Sequence, residues 1–202
     1  MAEANMLADK GVKELTLIAQ DTTAYGSDLN DMTLSKLLSS IAELNKFKWI
    51  RVLYLYPDEI TLDLLETFKK YDSIVNYFDI PIQHANDKIL SKMNRRGSKA
   101  LIHHLIKTIR EMIPDAIIRT TLIVGFPGET KEQFEELYSF VKETKFERLG
   151  AFAYSKEDGT PAEKLKQQVH SKTKQTRYNK IMEIEKEASR QKLEEKIGNE
   201  YE

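Results

Sequence analysis

Five short apolar runs rich in β-branched residues recur roughly every 30 residues, the size of a βαβ crossover. They cover residues 15–19, 49–55, 77–82, 116–124 and 148–154, and a helical pattern lies between successive runs. Strands joined through helices run parallel, and their crossovers are right-handed in nearly all cases. A parallel sheet needs helices on its faces. The chain is therefore an α/β protein, either a doubly wound open sheet or part of a (β/α) barrel.

The sharpest unit is residues 117–130, Ile-Ile-Arg-Thr-Thr-Leu-Ile-Val-Gly-Phe-Pro-Gly-Glu-Thr. An apolar run carrying one charge, Arg119, breaks at Gly125-Phe-Pro-Gly128, and Glu129-Thr130 open a helix. Thr130 with Gln133 has the spacing of a capping box, in which two side chains satisfy free backbone donors. Elsewhere Thr33 is expected to cap a helix with its stripe at Leu34, Leu37, Leu38, Ile41 and Leu44. A helix after Tyr56-Pro-Asp58 is expected to bury Leu62, Leu65 and Phe68. Asn86 or Asp87 should cap a short helix, and Ser98 a longer one.

Residues 2–10 read as the end of a helix stopped at Gly11. An α/β chain that opens inside a helix is expected to lack its first strand. At the other end, residues 164–180 hold six basic side chains and no acidic one. This run reads as a solvated face, with docking to RNA or a ribosomal surface as the alternative. A charged helix follows, with a thin apolar side at Tyr178, Ile181, Ile184 and Ala188. The expected division is a (β/α) unit over residues 1–165 and a charged helix over 166–202 that leads to a further domain.

Composition excludes several classes. The 202 residues are 41% hydrophobic and 31% charged, with a formal net charge of −1, so charge alone gives no reason to expect a nucleic-acid or membrane binder. No run approaches the roughly 20 apolar residues of a membrane helix, and no secretory signal opens the chain. A cytoplasmic protein without a membrane partner is expected. Cysteine is absent, so these residues supply no disulfide and no thiolate to zinc or an iron–sulfur cluster.

In parallel α/β folds ligands bind at the carboxyl ends of the strands. Those ends read Gln20-Asp21, Tyr56-Pro-Asp58, Gln83-His84, Gly125-Phe-Pro-Gly-Glu129 and Tyr154-Ser155. The glycine turn lacks the Gly-Lys-Ser/Thr ending of a phosphate loop and the spacing of a dinucleotide fingerprint. A guanidinium within a parallel strand calls for an anion. For Arg119 that anion is either an internal carboxylate such as Asp79 or a ligand. His84 alone reads as a surface residue, and no histidine shows metal spacing.

Four segments come in one order and spacing: 17–26 (Leu-Ile-Ala-Gln-Asp-Thr-Thr-Ala-Tyr-Gly), 79–87 with Met93-Asn-Arg95, 119–130, and 154–161 (Tyr-Ser-Lys-Glu-Asp-Gly-Thr-Pro). Together they resemble the radical S-adenosylmethionine (SAM) methylthiotransferases over essentially the whole chain. Gln20-Asp-Thr-Thr-Ala-Tyr25 and Lys156-Glu-Asp-Gly-Thr160 resemble the branch that methylthiolates the β-carbon of an aspartate in a small-subunit ribosomal protein. The alternatives are the tRNA-adenosine branch and a non-enzymatic α/β ligand-binding domain.

The resemblance implies a partial (β/α) barrel with SAM at the strand ends. It places Gln20 and Asp21 near the methionine amino group, and Gln83, Arg119, Gly125 and Phe126 around ribose, carboxylate and adenine. Phe152 and Tyr154 would flank adenine or substrate. Glu129 lies one place late against the family's fifth-strand signature, so no direct role passes to it. The family's cluster motif, CxxxCxxC, is missing with the first strand, which implies an internal fragment without catalytic or metal-ligating residues of its own. The 4Fe–4S chemistry, the sulfur and electron donors, and a ribosomal protein substrate met on the ribosome or its assembly intermediates would belong to the full-length enzyme.

Overall fold

The computed structural model describes residues 1–200. In order come α1 (Ala2–Asp9), β1 (Glu14–Leu17), α2 (Leu34–Ala42), β2 (Trp49–Val52), α3 (Leu62–Lys70) and β3 (Tyr77–Asp79). Next are α4 (Asp87–Lys92), α5 (Lys99–Met112), β4 (Ile117–Val124), α6 (Lys131–Thr144) and β5 (Arg148–Ala153). A 3-10 turn (Pro161–Lys164) precedes α7 (Ser171–Glu194). The strands order as β1-β2 and β3-β4-β5, and β1–β2 and β4–β5 are parallel, as alternation with helices requires.

The chain divides into two compact units, Met1–Pro81 with His104–Ile118, and Ile82–His103 with Arg119–Glu202. In the first, Leu38, Ile50, Val52, Leu55, Leu65, Phe68 and Phe78 are buried, and the Phe68 and Phe78 rings stack at 4.6 Å. A fully buried side chain of this kind contributes about 1.5–3 kcal/mol. Thr33 and Thr61 cap α2 and α3 through their hydroxyls, on Lys36 N–H and Leu64 N–H. Leu62, expected inside, is 62% exposed. It is the first residue of α3, and the packed side falls on Leu64, Leu65 and Phe68 instead.

Strands β1 and β2 stop two and three residues short of the apolar runs that announce them, because side chains bond the backbone there. Thr22 accepts from Ala19 N–H and donates to the Leu53 carbonyl. Tyr54 turns into the left-handed region (φ +59°) and its N–H donates to the buried Asp79 carboxylate.

The second unit is built on β4 and β5, paired from Arg119↔Arg148 to Val124↔Ala153. Along β4 the side chains alternate: Thr120, Leu122 and Val124 are buried, while Arg119, Thr121 and Ile123 are half-buried. That is the period of two of a strand with one covered face. Helix α6 buries Phe134, Leu137, Phe140 and Val141, and the Thr130–Gln133 capping box is present in full. Thr130→Ala should lower stability by about 1 kcal/mol, read as a drop in Tm of roughly 2–4 °C for a chain of this size.

Helix α7 belongs to this second unit. Near its start Lys174 reaches the Tyr154 carbonyl just past β5, and near its end Lys192 pairs with Glu147 just before β5. It therefore runs back antiparallel to its strand, with Ile181 fully buried between these contacts. The last two residues of the charged helix expected over 166–202 lie outside those described. Among the described residues no helix is long and apolar enough to cross a membrane.

Candidate functional site

The turn after β4 is held from within. Gly125 (φ +72°) and Gly128 (φ +80°) both take the left-handed conformation that glycine adopts without a Cβ penalty. Crowding adds a second requirement at each. A Cβ on Gly125 would overlap the Lys174 stem, and one on Gly128 would run into the Lys92 ammonium and the Gln167 amide.

Glu129 is the centre of this turn. Its side chain is fully buried. One carboxylate oxygen accepts from the Gly125 and Phe126 N–H groups, and the other pairs with Arg177 of α7 at 3.0 Å. The same guanidinium nitrogen donates to the Glu129 carbonyl at 3.1 Å. Burial pushes the Glu129 carboxyl above its usual range, opposed by Arg177 and the two loop amides. The sequence suggested a favourable charge at a helix start, whereas the structure turns Glu129 back onto its own loop.

The half-buried side of β4 continues onto β5, since paired residues in a ladder share a face. Arg119, Thr121 and Ile123 stand beside Arg148, Gly150 and Phe152. This face is open: Phe152 is 62% exposed, and a Cβ on Gly150 would meet nothing within 4 Å. At its carboxyl end Phe126 meets Tyr154 edge-on, with centroids 5.2 Å apart. The Tyr154 hydroxyl is buried without a hydrogen-bond partner. Burial raises its pKa, with Glu157 and Glu163 adding to the effect. Arg119 sits at the other end of the face, six residues before Gly125, which is roughly 20 Å along a strand.

Gln83 borders the opposite side of β4. Its N–H donates to the Thr121 carbonyl and its carbonyl accepts from Ile123 N–H, at 2.9 and 2.8 Å. It holds φ +66°, and its side-chain oxygen is buried with no partner. A non-glycine residue in that conformation stores local strain, a feature that gathers at ligand sites. His84, expected on the surface, is fully buried. Its Nδ1 accepts from Asn86 N–H at 2.9 Å, which puts the proton on Nε2. Burial lowers its pKa to about 4, Arg177 lowers it further and Glu136 opposes. It is a neutral core residue that shapes the turn into α4, where Asn86 caps the helix and donates to Glu136 at 2.6 Å.

The remaining expected residues, Gln20 and Asp21, lie in the first unit. Gln20 is exposed. Asp21 accepts from the Thr23 hydroxyl and Ala24 N–H, and lines a cleft of about 840 Å³ with Leu15, Leu17, Ile18 and Leu34. The structure thus gathers Gln83, Gly125, Phe126, Phe152 and Tyr154 around the carboxyl end of β4 and β5. Sequence reasoning did not single out Gly150, Lys174 or Arg177. Only Gly150 carried a local signal, a glycine inside a strand pattern.

Residues 1–141 match the radical SAM superfamily model. The ribosomal protein uS12 methylthiotransferase RimO of Alkaliphilus oremlandii is 54% identical over 202 residues, 100% of this chain and 46% of the relative. The protein of the same name from Clostridioides difficile is 52% identical over 201 residues, 99% of this chain and 45% of the relative. The chain spans about half the length of the curated relatives it matches. Among solved structures, the radical SAM methyltransferase TsrM of Kitasatospora setae aligns with a TM-score of 0.58 at 15% identity, over 75% of this chain and 29% of that one. SuiB of Streptococcus suis bound to S-adenosylmethionine aligns at 0.54 and 20% identity, over 89% and 38%. At those identities the likeness speaks for the fold. With parallel strands, intervening helices and a family match over most of its length, the chain belongs to the radical SAM superfamily.

Proposed function

We propose that this chain binds SAM against the open face of β4 and β5, within an enzyme that methylthiolates the β-carbon of an aspartate in ribosomal protein uS12. The observation that carries the binding reading is the open face itself. Phe152 is exposed there, and two side-chain oxygens near the strand ends, Gln83 Oε1 and the Tyr154 hydroxyl, are buried with no hydrogen-bond partner. A buried polar atom without a partner is costly, and a ligand group that meets it removes the cost.

In this reading Phe126, Phe152 and Tyr154 hold the adenine by stacking and apolar contact. Gln83 hydrogen-bonds the adenosyl moiety, and the Gly125 loop brings backbone close to it. No part in this reading is assigned to Arg119, which stands roughly 20 Å along β4 from Gly125, or to Gln20 and Asp21 of the first unit. When bound, SAM supplies the adenosyl group for radical chemistry and the methyl group for transfer. The cluster is another matter: without cysteine the residues present do not fit it.

The substrate assignment follows the relatives named for uS12. Two arms test the whole reading. S-adenosylhomocysteine should bind the 202-residue chain in calorimetry, and Phe152→Ala should weaken it roughly tenfold, the order of one lost base–aromatic contact. Absence of binding by a folded wild-type chain would remove the cofactor assignment. A longer protein containing this chain should methylthiolate uS12 and leave tRNA unmodified. Modification of tRNA adenosine instead would overturn the ribosomal assignment.

A further inference from the structure

Helix α7 reaches the glycine loop at two fixed points. At the first, Arg177 is buried, pairs with the Glu129 carboxylate and donates to the Glu129 carbonyl, so it grips both ends of that residue. At the second, the Lys174 stem lies against Gly125 while its ammonium donates to the Tyr154 carbonyl at 2.9 Å and sits 4.8 Å over the Tyr154 ring. Both points touch the loop side of the strands, and both residues come from a run that reads in sequence as a solvated basic face. A third member of that run, Lys180, pairs with Glu135 of α6 at 3.5 Å. Half of the six basic side chains of residues 164–180 are therefore engaged within the unit.

The chemistry of the first point is directional. The two loop N–H groups need an acceptor, and one Glu129 oxygen supplies it while the other faces the Arg177 cation. An amide in its place would turn an NH2 towards the guanidinium or towards the loop donors, and either choice loses a contact. The second point fixes Tyr154 relative to Gly125, and the Phe126 ring stands edge-on to Tyr154.

We infer that α7 sets the conformation of the Gly125–Gly128 loop through Arg177 and Lys174, which act as positioning residues for an adenosyl ligand. The ligand half of this inference rests on the SAM reading above; the loop half does not. Neither side chain contacts the ligand in this view. Each works through a group that does: Arg177 through Glu129 and the loop amides, Lys174 through Tyr154.

The test combines amide hydrogen exchange with binding of S-adenosylhomocysteine to the 202-residue chain, using Lys174→Ala, Arg177→Met and Arg177→Lys. In Lys174→Ala and Arg177→Met, exchange at the Gly125 and Phe126 amides should rise roughly tenfold or more relative to the Leu122 amide in mid-strand, an internal control for general loosening. Affinity should fall by about the same factor, the equivalent of one well-made hydrogen bond. Arg177→Lys keeps the cation and should recover part of both losses, which a general packing defect would not do. If Arg177→Met does not fold, Lys174→Ala carries the test alone, because that side chain is not part of the core. Exchange at the two loop amides unchanged from wild type would overturn the inference, whatever the affinities. Faster loop exchange in the variants with no ligand binding even by wild type would support the loop-setting role and remove the SAM reading.

Discussion

Glu129→Ala should destabilise the chain by about 3–5 kcal/mol, the cost of breaking a buried ion pair from one side. The Arg177 guanidinium would stay buried with its carboxylate gone and the residue-129 carbonyl left as its acceptor, and the Gly125 and Phe126 N–H groups would lose theirs. Exposed ion pairs of the same chain, such as Lys107–Glu111, face water on both sides and should contribute well under about 1 kcal/mol. Urea unfolding of Glu129→Ala beside Glu111→Ala would measure the contrast. Equal effects would mean that the buried pair stabilises no more than a surface one, and that Glu129 does not hold the turn together.

The second large effect is a dependence on pH. His84 is buried as the neutral imidazole, with its pKa lowered to about 4 from an ordinary 6.5. An unfolded chain therefore takes up the proton at a higher pH than the folded one. Stability from this residue is fully present above pH 6.5 and is lost as the pH falls towards 4, by about 3 kcal/mol in all. Glu129 works in the opposite direction, since a carboxyl raised by burial favours the folded state as the pH falls. The two can be separated with His84→Asn, whose carbonyl can take the place of Nδ1 as acceptor for Asn86 N–H. Its unfolding free energy, measured at pH 7 and pH 4.5, should lack most of the wild-type decline. An identical decline in both proteins would show that His84 is not the group that titrates.

The strands were legible because a buried parallel strand must be an apolar run, and their ladders confirm the expected pairing direction. Caps at Thr33, Asn86 and Thr130 were legible for a similar reason, being local rules of residue type and spacing. What could not be read depends on partners distant in sequence. His84 looks like a surface histidine until Glu136 of α6 and Arg177 of α7 come near it. Arg177 looks like one of six solvated cations until it meets a carboxylate 48 residues earlier. Glu129 showed only its place at a helix start, and its turn back onto the loop required that same distant partner. The candidate site was half legible. Gln83, Gly125, Phe126, Phe152 and Tyr154 do gather at the strand ends, but Arg119 stands towards the far end of the face, a distance along β4 that residue type alone does not convey.

The 48 residues between Glu129 and Arg177 also set an order in time. A chain made from its amino end at about 5–20 residues per second presents the glycine loop roughly 2–10 seconds before the guanidinium that completes it. During that interval the Glu129 carboxylate has its two amide donors within reach but not its cation, and β4 and β5 can already pair. The last piece of the loop to be synthesised is thus not in the loop at all, and a nascent chain halted before residue 177 would carry it unfinished.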